Sequence, residues 1–373
     1  MPESIIVKPV SSKVDKRKFI LLPWDIYKDD SNWVAPLIMD QKKLLDTNKN
    51  PFYQHAQIQC FLAYKSNEIV GRIAAIINDN HNNFHQENTG FFGFFESRND
   101  PNISKALFEA AESWIREKGM VRMRGPVNPS INDTCGLLVD AFDSPPVVMM
   151  TYNPSYYSQL FESFGLQKSK DLLAYYLSKT NIELGKIKRV VSIIKKKYNI
   201  ELRSIDMKHF KRDVNIVKDV YNEAWEKNWG FVPMTDAEMD HMAKELKPII
   251  IPELALFAFI NDQPVGFSLS LPDLNQALAK INGRLIPFGL PKILWYSRKI
   301  DMIRVIILGI RKKFRKSGID SLFYLETYSR GVNIGMSRGE FSWILEDNYP
   351  MRHTLEKIGS KIYKTYRIFD KEF

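Results

Sequence analysis

The clearest change in the hydrophobic pattern of this chain lies near its C-terminal end. An apolar run, Met302–Ile310, is interrupted only by Arg304 and Gly309. Its length and β-branched content predict a buried strand. After a polar, cationic loop, apolar residues return at helical spacing from Leu322, and two glycines within residues 331–335 mark the predicted end of a helix.

The same two patterns, short β-branched apolar runs and apolar residues at helical spacing, predict strands and helices along the rest of the chain. Further predicted strands cover residues 57–64, 69–77, 89–96, 121–126, 171–177, 200–205, 254–260, 264–271, 340–345 and 361–369. Predicted helices cover residues 103–118, 153–165, 182–198, 214–227, 236–246 and 347–359, and residues 19–37 predict a helix followed by a proline-bounded loop. Short turn segments at 65–68 and 261–263 predict two hairpins.

The loop that follows the strand at 302–310 concentrates positive charge. It contains Arg311, Arg315 and Lys316, and Gly318 falls where the helix begins. A helix start exposes backbone N–H groups and the positive end of the helix dipole. The loop therefore suits a pyrophosphate or another polyanion, although a solvated basic turn would contain the same residues.

This part of the chain resembles the acyl-CoA-binding half of the GNAT acyltransferases. That family places an Arg/Gln-x-x-Gly-x-Gly/Ala loop between a strand and a helix, and Arg315-x-x-Gly318-x-Asp320 matches all but the last position. Asn348-x-x-Met351 matches the start of the family's next helix.

Two further positions depart from the family pattern. Gly359-Ser360 stands where the family has Gly-Phe, and Leu355 stands where it often has a tyrosine acid. The resemblance therefore supports a coenzyme site better than an inherited proton donor.

The resemblance implies that acyl-CoA binds at this loop as a co-substrate. The implied coenzyme-binding residues are Ile310, Arg311, Arg315, Lys316, Ser317, Gly318, Ile319 and Asn348. Because the strand at 302–310 offers no carboxylate, a base must come from elsewhere. Glu346 is the candidate base, and Tyr349 or His353 could replace the missing tyrosine acid.

In the same family a helix-loop-helix covers the acceptor pocket, and residues 214–246 match that element. Trp225, Trp229 and Phe231 are therefore candidate residues for an apolar acceptor or acyl site. Aromatic residues at these positions would equally well fill the core.

The first half of the chain repeats this order of elements. The fold class predicted by the resemblance is therefore α/β with a mixed sheet, in two tandem GNAT-like folds. The predicted segments are an N-terminal domain at 1–180, a linking helix at 181–199 and a C-terminal domain at 200–373.

The loop at 97–102 lacks the Arg-x-x-Gly pattern, so the first half is not expected to hold coenzyme in the usual way. A long loop at 124–154 is more often functional than idle, and Asn128 and Asn132 are its candidate substrate-binding residues.

Composition and charge narrow the class of protein. The chain has 373 residues, enough for two domains, and 45% hydrophobic residues, enough for folded cores. Its two cysteines, Cys60 and Cys135, form no disulfide framework and indicate a reducing compartment. Residues 1–18 contain no signal-peptide core. No apolar run approaches the roughly 18 residues of a spanning helix, so a cytoplasmic protein is expected.

The net charge of +10 and the pI near 9.2 indicate anionic partners. Nucleic acid is not expected, because no recognition helix, zinc finger or RNP motif is present. A coenzyme with several phosphates, or peripheral contact with an anionic inner membrane, would account for the charge. The basic residues of the helix at 182–198 are typical of a solvated face.

An insertion at 272–300 stands where simple GNAT folds have a short connection. It combines aromatic and aliphatic residues with a set of cations, and Asp273 is its one acid; the cations are Lys280, Arg284, Lys292, Arg298 and Lys299. Such a segment suits the interface of an anionic membrane. It equally suits a lid packed on the other domain, which we favour slightly because it needs no membrane.

His81 and His85 stand four residues apart, a spacing that can bind metal on a helix. Only Asp79 and Glu87 lie close by, and no Cys or carboxylate cluster supports a site. The sequence therefore predicts no metal.

The function predicted from these observations is acyl-CoA-dependent transfer of an acyl group to an amine. The chain resembles a bacterial group of tandem GNAT-like proteins, and some members look similar to enzymes that acylate long-chain amines during sphingolipid synthesis. The acceptor is therefore a lipid-like amine or another small amine. The alternative is a non-catalytic acyl-CoA-binding or regulatory protein, which Asp320 and Leu355 favour.

Overall fold

A computed structural model gives the fold of the chain and describes residues 4–226 and 228–373. Two predictions fall on the remaining positions. Residues 1–3 begin the predicted N-terminal domain, and Lys227 ends the helix predicted at 214–227. Both lie outside the described residues.

Strands and helices alternate in the order that the sequence predicts. The strands are β1 (Ile5–Pro9), β2 (Ala56–Lys65), β3 (Glu68–Asn78), β4 (Thr89–Ser97), β5 (Arg122–Gly125), β6 (Val127–Asn128), β7 (Thr134–Cys135), β8 (Leu137–Leu138), β9 (Gln167–Ser178), β10 (Ile200–Ser204), β11 (Ala255–Ile260), β12 (Gln263–Pro272), β13 (Met302–Ile310), β14 (Arg338–Leu345) and β15 (Lys361–Glu372). The helices are α1 (Lys13–Ile26), α2 (Ile38–Leu44), α3 (Asp79–His85), α4 (Pro101–Glu117), α5 (Tyr157–Ser163), α6 (Leu184–Lys197), α7 (Phe210–Trp225), α8 (Asp236–Leu246), α9 (Asn275–Leu278), α10 (Gly289–Ser297), α11 (Ile319–Asn333) and α12 (Tyr349–Lys357).

The chain divides into two compact units. The N-terminal unit comprises residues up to 172 together with 277–294 and 365–373, and the C-terminal unit comprises 173–276 and 295–364. Strands β9 and β15 therefore contribute residues to both units. The predicted linking helix is α6, and it belongs to the C-terminal unit.

In the N-terminal unit, strands β1 to β5 lie in sequence order and β15 lies beside β5. Neighbours are antiparallel except β4 and β5, which are parallel. Helices α4 and α5 pack on one face through an aromatic core that includes Phe92, Phe108 and Phe161. Helix α1 packs on the other face, where Phe19 meets Phe94.

In the C-terminal unit, strands β10 to β14 lie in sequence order, with β9 beside β14. Only β13 and β14 are parallel among β10 to β14. Helices α6, α11 and α12 share one core through residues such as Val191, Leu322 and Leu355. Helix α7 packs through Val220 against another core that contains Phe257.

Backbone angles and side-chain hydrogen bonds explain where several strands and helices begin or end. Ser66 and Asn67 have positive φ angles of 49° and 68°, which fits the tight turn between β2 and β3. Thr235 and Glu238 form a capping box at the start of α8. The helix predicted at 153–165 is shorter than predicted, because the Asn153 side chain bonds both backbone groups of Leu138 and Pro154 follows it.

The loop after β5 closes the gap beside β4 in the N-terminal unit. The two strands pair only from Thr89 to Phe91, and Asn128 Oδ1 then accepts a hydrogen bond from the Phe94 amide at 2.6 Å. A Cβ atom on Gly93 would lie 1.6 Å from the carbonyl oxygen of Val127. This approach of two backbones is possible only because residue 93 is glycine.

We therefore expect Gly93→Ala to lower the free energy of unfolding by about 3 kcal/mol, because backbone atoms must move to admit the methyl group. Chemical denaturation measures the change. Gly185→Ala is the matched control, since nothing lies within 4 Å of its Cβ position in α6, and it should raise stability by about 0.5 kcal/mol through helix propensity. Equal effects of the two variants would contradict the close approach at Gly93.

Candidate functional site

Strands β13 and β14 separate part of the way along their length. They pair from Met302 with Arg338 to Val305 with Phe341, and both strands then continue, to Ile310 and Leu345. A bulge marks the point of separation, because Leu269 of β12 pairs with Ile307 while the next residue, Ser270, pairs with Val305. Beyond this point the backbone groups on the facing edges do not bond to the other strand.

The last paired residues alternate between the two faces of the sheet. Val305 and Phe341 belong to the core formed with α6, α11 and α12. Arg304 and Glu340, one position earlier on each strand, therefore point to the opposite face. Ile307, which packs with α7, lies on that face as well.

Glu340 is fully buried at the centre of a polar cluster. Ser342 Oγ donates a hydrogen bond to Oε1 of Glu340, and the Tyr363 hydroxyl donates to Oε2. The Arg304 guanidinium lies 3.7 Å from the carboxylate and donates to Ser342 Oγ at 2.9 Å. Lys364 is also fully buried nearby.

Burial raises the pKa of the Glu340 carboxyl to about 7, while Arg304 acts in the opposite direction. A carboxyl group with a pKa near neutrality can accept or release a proton under physiological conditions. Sequence reasoning missed this residue and took it only as the first position of a predicted strand. The one available signal for a buried ion pair was that Arg304 and Glu340 each lie in a predicted strand, and these two strands are neighbours in the fold.

The predicted catalytic residues lie after β14. Glu346 is half-buried, and its backbone carbonyl accepts a hydrogen bond from Arg352. Tyr349 is 69% exposed at the start of α12, and His353 is exposed one turn later. Leu355 is fully buried in the core and supplies no proton donor. The roles of Glu346, Tyr349 and His353 stay predictions.

Several cations of the predicted coenzyme loop are held by α7. Arg311 donates to the Pro264 carbonyl and to Glu223, and Arg315 donates to the Ala224 carbonyl at 2.7 Å. Lys316 is exposed and has no carboxylate partner in the described part of the chain. Of the three cations that the sequence emphasised, Arg311 and Arg315 are thus engaged by protein groups, and Lys316 is the one exposed to an anion.

Two groups next to Lys316 bear directly on anion binding. The Ser317 hydroxyl oxygen is buried and lacks a hydrogen-bond partner among the described residues. The Asp320 carboxyl lies in the first turn of α11, and burial raises its pKa while the nearby backbone amides act in the opposite direction. When ionised, Asp320 would therefore oppose a phosphate at this helix start.

Gly318 packs against α6. Its φ angle is 89°, and a Cβ atom there would lie 2.7 Å from Ile194 and 2.9 Å from Val190 of α6. The backbone conformation and this packing explain the glycine, and its role in coenzyme binding stays a prediction. Ile319 is a fully buried core residue, so only its backbone is available.

The remaining two predicted coenzyme residues lie at the ends of elements. Ile310 is the last residue of β13 and is half-buried. Asn348 is the N-cap of α12, and its side chain accepts a hydrogen bond from the Met351 amide. The predicted start of this helix is thereby confirmed.

Among the predicted acceptor residues, Trp225 has the clearest relation to the separated strands. It stacks on Tyr221, and a Cβ atom on Gly309 would lie 2.6 Å from its ring, so Trp225 covers the unpaired part of β13. Phe231 is a buried core residue beside Tyr221. Trp229 is half-buried in the loop before α8.

The two asparagines of the N-terminal unit are engaged in local structure. Asn128 uses its oxygen on the Phe94 amide and its nitrogen on Thr134. This use of both ends favours a structural role over substrate binding. Asn132 is half-buried, and its amide donates to Ser130 Oγ.

The N-terminal unit also buries a carboxyl group beside an arginine. Glu96 accepts hydrogen bonds from the hydroxyl groups of Tyr27 and Tyr157, both at 2.8 Å, and Arg72 lies 3.5 Å away. Burial raises the pKa of Glu96, and Arg72 opposes this shift. Because every member is buried, this cluster reads as part of the core of the unit.

His81 and His85 lie ring against ring, with centroids 4.5 Å apart. Burial, aided by His85, lowers the pKa of His81 to about 4, and Glu87 lies 3.4 Å from its Nε2. Across residues 4–226 and 228–373 no group of three or more His, Cys, Asp or Glu side chains is arranged to hold a metal ion.

A small apolar cavity lies between α6, α11 and the paired parts of β13 and β14. It has a volume of about 50 Å³ and is bordered by Tyr324, Thr327 and Phe341. Thr327 is 5% exposed, and its hydroxyl oxygen has no hydrogen-bond partner among the described residues. A buried hydroxyl without a partner lowers stability.

Comparison with known structures defines the class of protein. A tandem GNAT protein from the clavulanic acid biosynthesis pathway matches 99% of this chain and 98% of its own, with a TM-score of 0.60 and 10% identity. A GCN5-related N-acetyltransferase from Sphaerobacter thermophilus matches 100% of this chain and 96% of its own, with a TM-score of 0.54 and 14% identity. The predicted fold class is thus confirmed, and the chain has a tandem GNAT fold.

Comparison of sequences identifies the family. The bacterial ceramide synthase of Caulobacter vibrioides is 36% identical over 376 residues, which cover 98% of this chain and 97% of that protein. The protein YghO of Escherichia coli is 34% identical over 98% of this chain and 95% of its own. The chain matches no protein-family model. It belongs to the family of these two relatives, each of which it matches over nearly its whole length.

We expect Thr327→Val to raise the free energy of unfolding by about 1 kcal/mol, because it removes an unsatisfied hydroxyl and keeps the shape of the side chain. Thr354→Val is the matched control, since the Thr354 hydroxyl donates to the Pro350 carbonyl at 3.0 Å and its loss should lower stability. Thermal unfolding measures both. A loss of stability in Thr327→Val would mean that the hydroxyl binds a water molecule or ligand in the cavity.

Proposed function

We propose that this chain transfers a fatty acyl group from acyl-CoA to the amino group of a long-chain amino alcohol. The observation that carries the proposal is the full-length similarity to a protein named bacterial ceramide synthase. A ceramide is an amide of a fatty acid with such an amino alcohol. The fold implies acyl-CoA as the acyl donor, and the separated strands β13 and β14 offer a place for it.

The coenzyme would lie along the free edge of β13, with its phosphates near the start of α11. Lys316 would contact the phosphates, and the Ser317 hydroxyl would gain the partner that it lacks. The Asp320 carboxylate would repel these phosphates unless it is protonated, which burial favours by raising its pKa. The site therefore binds its anion beside a local charge of the same sign.

Glu340 is the proton acceptor in this proposal. As the amine nitrogen attacks the thioester carbon, a C–N bond forms, the C–S bond breaks, and the amine proton must leave. Tyr363 is half-buried and donates to Glu340. The proton of the amine would therefore reach the buried carboxylate through the Tyr363 hydroxyl. The Trp343 indole N–H is buried without a partner among the described residues and is placed on β14 to bind the oxyanion.

The acceptor would bind on the face of the sheet that carries α7. Arg304 and Glu340 point to this face, and Trp225 covers Gly309 on it. An aromatic surface beside a buried polar cluster suits an amine with a long apolar chain. The reaction would take place in the cytoplasm, where Cys60 and Cys135 would remain the free thiols that the structure contains.

The alternative is a protein that binds acyl-CoA without turnover. One observation favours it, which is that the Asp320 carboxyl lies in the first turn of α11, beside the proposed phosphate position. The full-length match to a protein named as a synthase weighs against it. An assay of acyl transfer to a panel of amines decides between the enzyme and the binding protein.

Coenzyme binding by calorimetry tests the placement of the phosphates. Lys316→Ala should weaken palmitoyl-CoA binding about fivefold, the effect of roughly 1 kcal/mol from one exposed charge contact. Asp320→Ala should strengthen binding by a similar factor, because it removes a charge of the same sign as the phosphates. Lys188→Ala, on the exposed side of α6, is the control and should change nothing.

The same titrations are repeated with acetyl-CoA in place of palmitoyl-CoA. The two affinities show which acyl chain length the protein prefers. Much tighter binding of palmitoyl-CoA would support a lipid substrate. Weaker binding by Asp320→Ala would refute the repulsion at the helix start. If folded protein bound neither thioester, the proposed enzyme would lack its donor site.

The pH dependence of kcat/KM tests the base. Because Glu340 must be ionised to accept a proton and its pKa is about 7, activity should rise from pH 6 to pH 8 and then level off. Glu340→Gln should lower activity by about 100-fold or more and remove this rise. Tyr363→Phe should lower activity while keeping a titrating carboxyl.

Glu346→Gln is the matched variant for the alternative base and should retain the pH profile. The reverse pattern, with Glu346→Gln inactive and Glu340→Gln active, would assign the base to Glu346. Circular dichroism must accompany the assays, because removing the charge of Glu340 leaves Arg304 buried without its carboxylate. If Glu340→Gln does not fold, the activity and pH profile of Tyr363→Phe still test whether Glu340 is the base.

A further inference from the structure

The segment that follows α9 has a buried base and an exposed end. At its base, Ala277 and Ile281 are buried, the Asn282 carbonyl accepts a hydrogen bond from the Trp24 indole, and the Gly283 carbonyl accepts one from the Ile38 amide. All of these residues belong to the N-terminal unit. The segment is therefore fixed at its base.

Beyond this base, residues 284–299 form a surface that we call the basic apolar tip. Its large apolar side chains are exposed: Ile286 (86%), Phe288 (71%), Trp295 (59%), Leu290 (55%) and Leu294 (61%). A soluble surface seldom places so many large apolar side chains within ten residues. The lid that we favoured slightly from sequence stays a prediction, and the exposure of these side chains gives a separate ground for a partner surface.

The charge of the tip has one sign. Every cation of the segment is exposed; these are Lys280, Arg284, Lys292, Arg298 and Lys299. No Asp or Glu occurs between Asp273 and Asp301. A partner must therefore be negatively charged and must also accept apolar side chains.

The backbone of the tip is largely satisfied by its own groups. The Leu290 amide donates to the Leu285 carbonyl, and the Lys292 amide donates to the Phe288 carbonyl. Gly289 is packed so closely that a Cβ atom there would lie 1.9 Å from the Arg284 carbonyl oxygen. A compact turn followed by α10 can enter the edge of a bilayer without exposing many backbone groups.

We propose that the basic apolar tip docks on an anionic lipid bilayer, with Ile286, Phe288 and Leu290 entering the interface. Lysine and arginine near an anionic surface each add to the attraction, and tryptophan favours the interfacial region. Nucleic acid would use the cations but leave the apolar side chains exposed to water. A second copy of this chain would bring the same positive charge to the contact.

This inference goes beyond the proposed reaction and does not depend on it. It is also distinct from a spanning segment, since no helix in residues 4–226 or 228–373 is long and apolar enough to cross a membrane. An enzyme docked in this way would meet lipid substrates at the surface where they reside.

Vesicle flotation with the full chain tests the proposal. The protein should float with vesicles of phosphatidylcholine mixed with phosphatidylglycerol and stay behind with phosphatidylcholine alone. Ile286→Ser combined with Phe288→Ser should lower the fraction bound at least about tenfold through lost apolar burial, and Arg284→Gln with Lys292→Gln should do the same through lost charge.

Matched controls come from other exposed positions. Val14→Ser with Val121→Ser removes apolar side chains exposed elsewhere, and Lys188→Gln with Arg189→Gln removes exposed cations of α6. Both should float like the parent protein. Brominated lipid should quench tryptophan fluorescence in the parent, and Trp295→Phe should remove part of that quenching.

Three results would overturn the proposal. These are no flotation of the parent protein, equal loss of flotation in the α6 control, or concentration-dependent self-association that Ile286→Ser with Phe288→Ser abolishes. The last result would make the tip an interface between copies. Acyl transfer to a water-soluble amine should be unchanged in the tip variants, so loss of docking and failure of the proposed reaction are distinguishable.

Discussion

Hydrogen bonding between β13 and β14 stops after the pair Val305 and Phe341, and the proposed function of the C-terminal unit depends on that limit. β13 remains bonded to β12 on its other edge through Ile310, so it stays a strand beyond the last pair with β14. Buried backbone groups need partners. In the proposed reaction the amide groups of a thioester would supply them, so the break would serve as a binding site and would not simply weaken the sheet.

The N-terminal unit contains the same kind of break, but its own chain fills it. Strands β4 and β5 pair over three residues, and the carbonyl of Val127 then lies against Gly93 while Asn128 binds the Phe94 amide. Backbone groups that could bind a ligand are thus already used. This difference gives a physical basis for the prediction that only the C-terminal unit binds coenzyme.

Each unit also buries a carboxylate next to an arginine on a neighbouring strand. Arg72 and Glu96 face each other across β3 and β4, and Arg304 and Glu340 across β13 and β14. Burying such a pair is costly unless hydrogen bonds complete it, and tyrosine hydroxyls do so in both cases. The difference is access: Tyr27 and Tyr157 are buried with Glu96, whereas Tyr363 is half-buried beside Glu340.

The sequence by itself determined the order of the longer strands and helices, the limits of β13 and α8, and the start of α12, because these follow from local periodicity and capping. It missed short elements such as β1, α2 and α10. It also determined the tandem GNAT fold, through motifs at Arg315, Gly318 and Asn348 and through the repeated order of elements in the first half. Only the tertiary structure decided that Arg315 turns to α7, that Gly318 packs on α6, and that Glu340 meets Tyr363. It also decided the burial that raises the pKa of Asp320 and the exposure of Phe288. Such contacts join residues far apart in the chain, and their energies depend on burial and on which groups compete for each hydrogen bond, neither of which a local pattern contains.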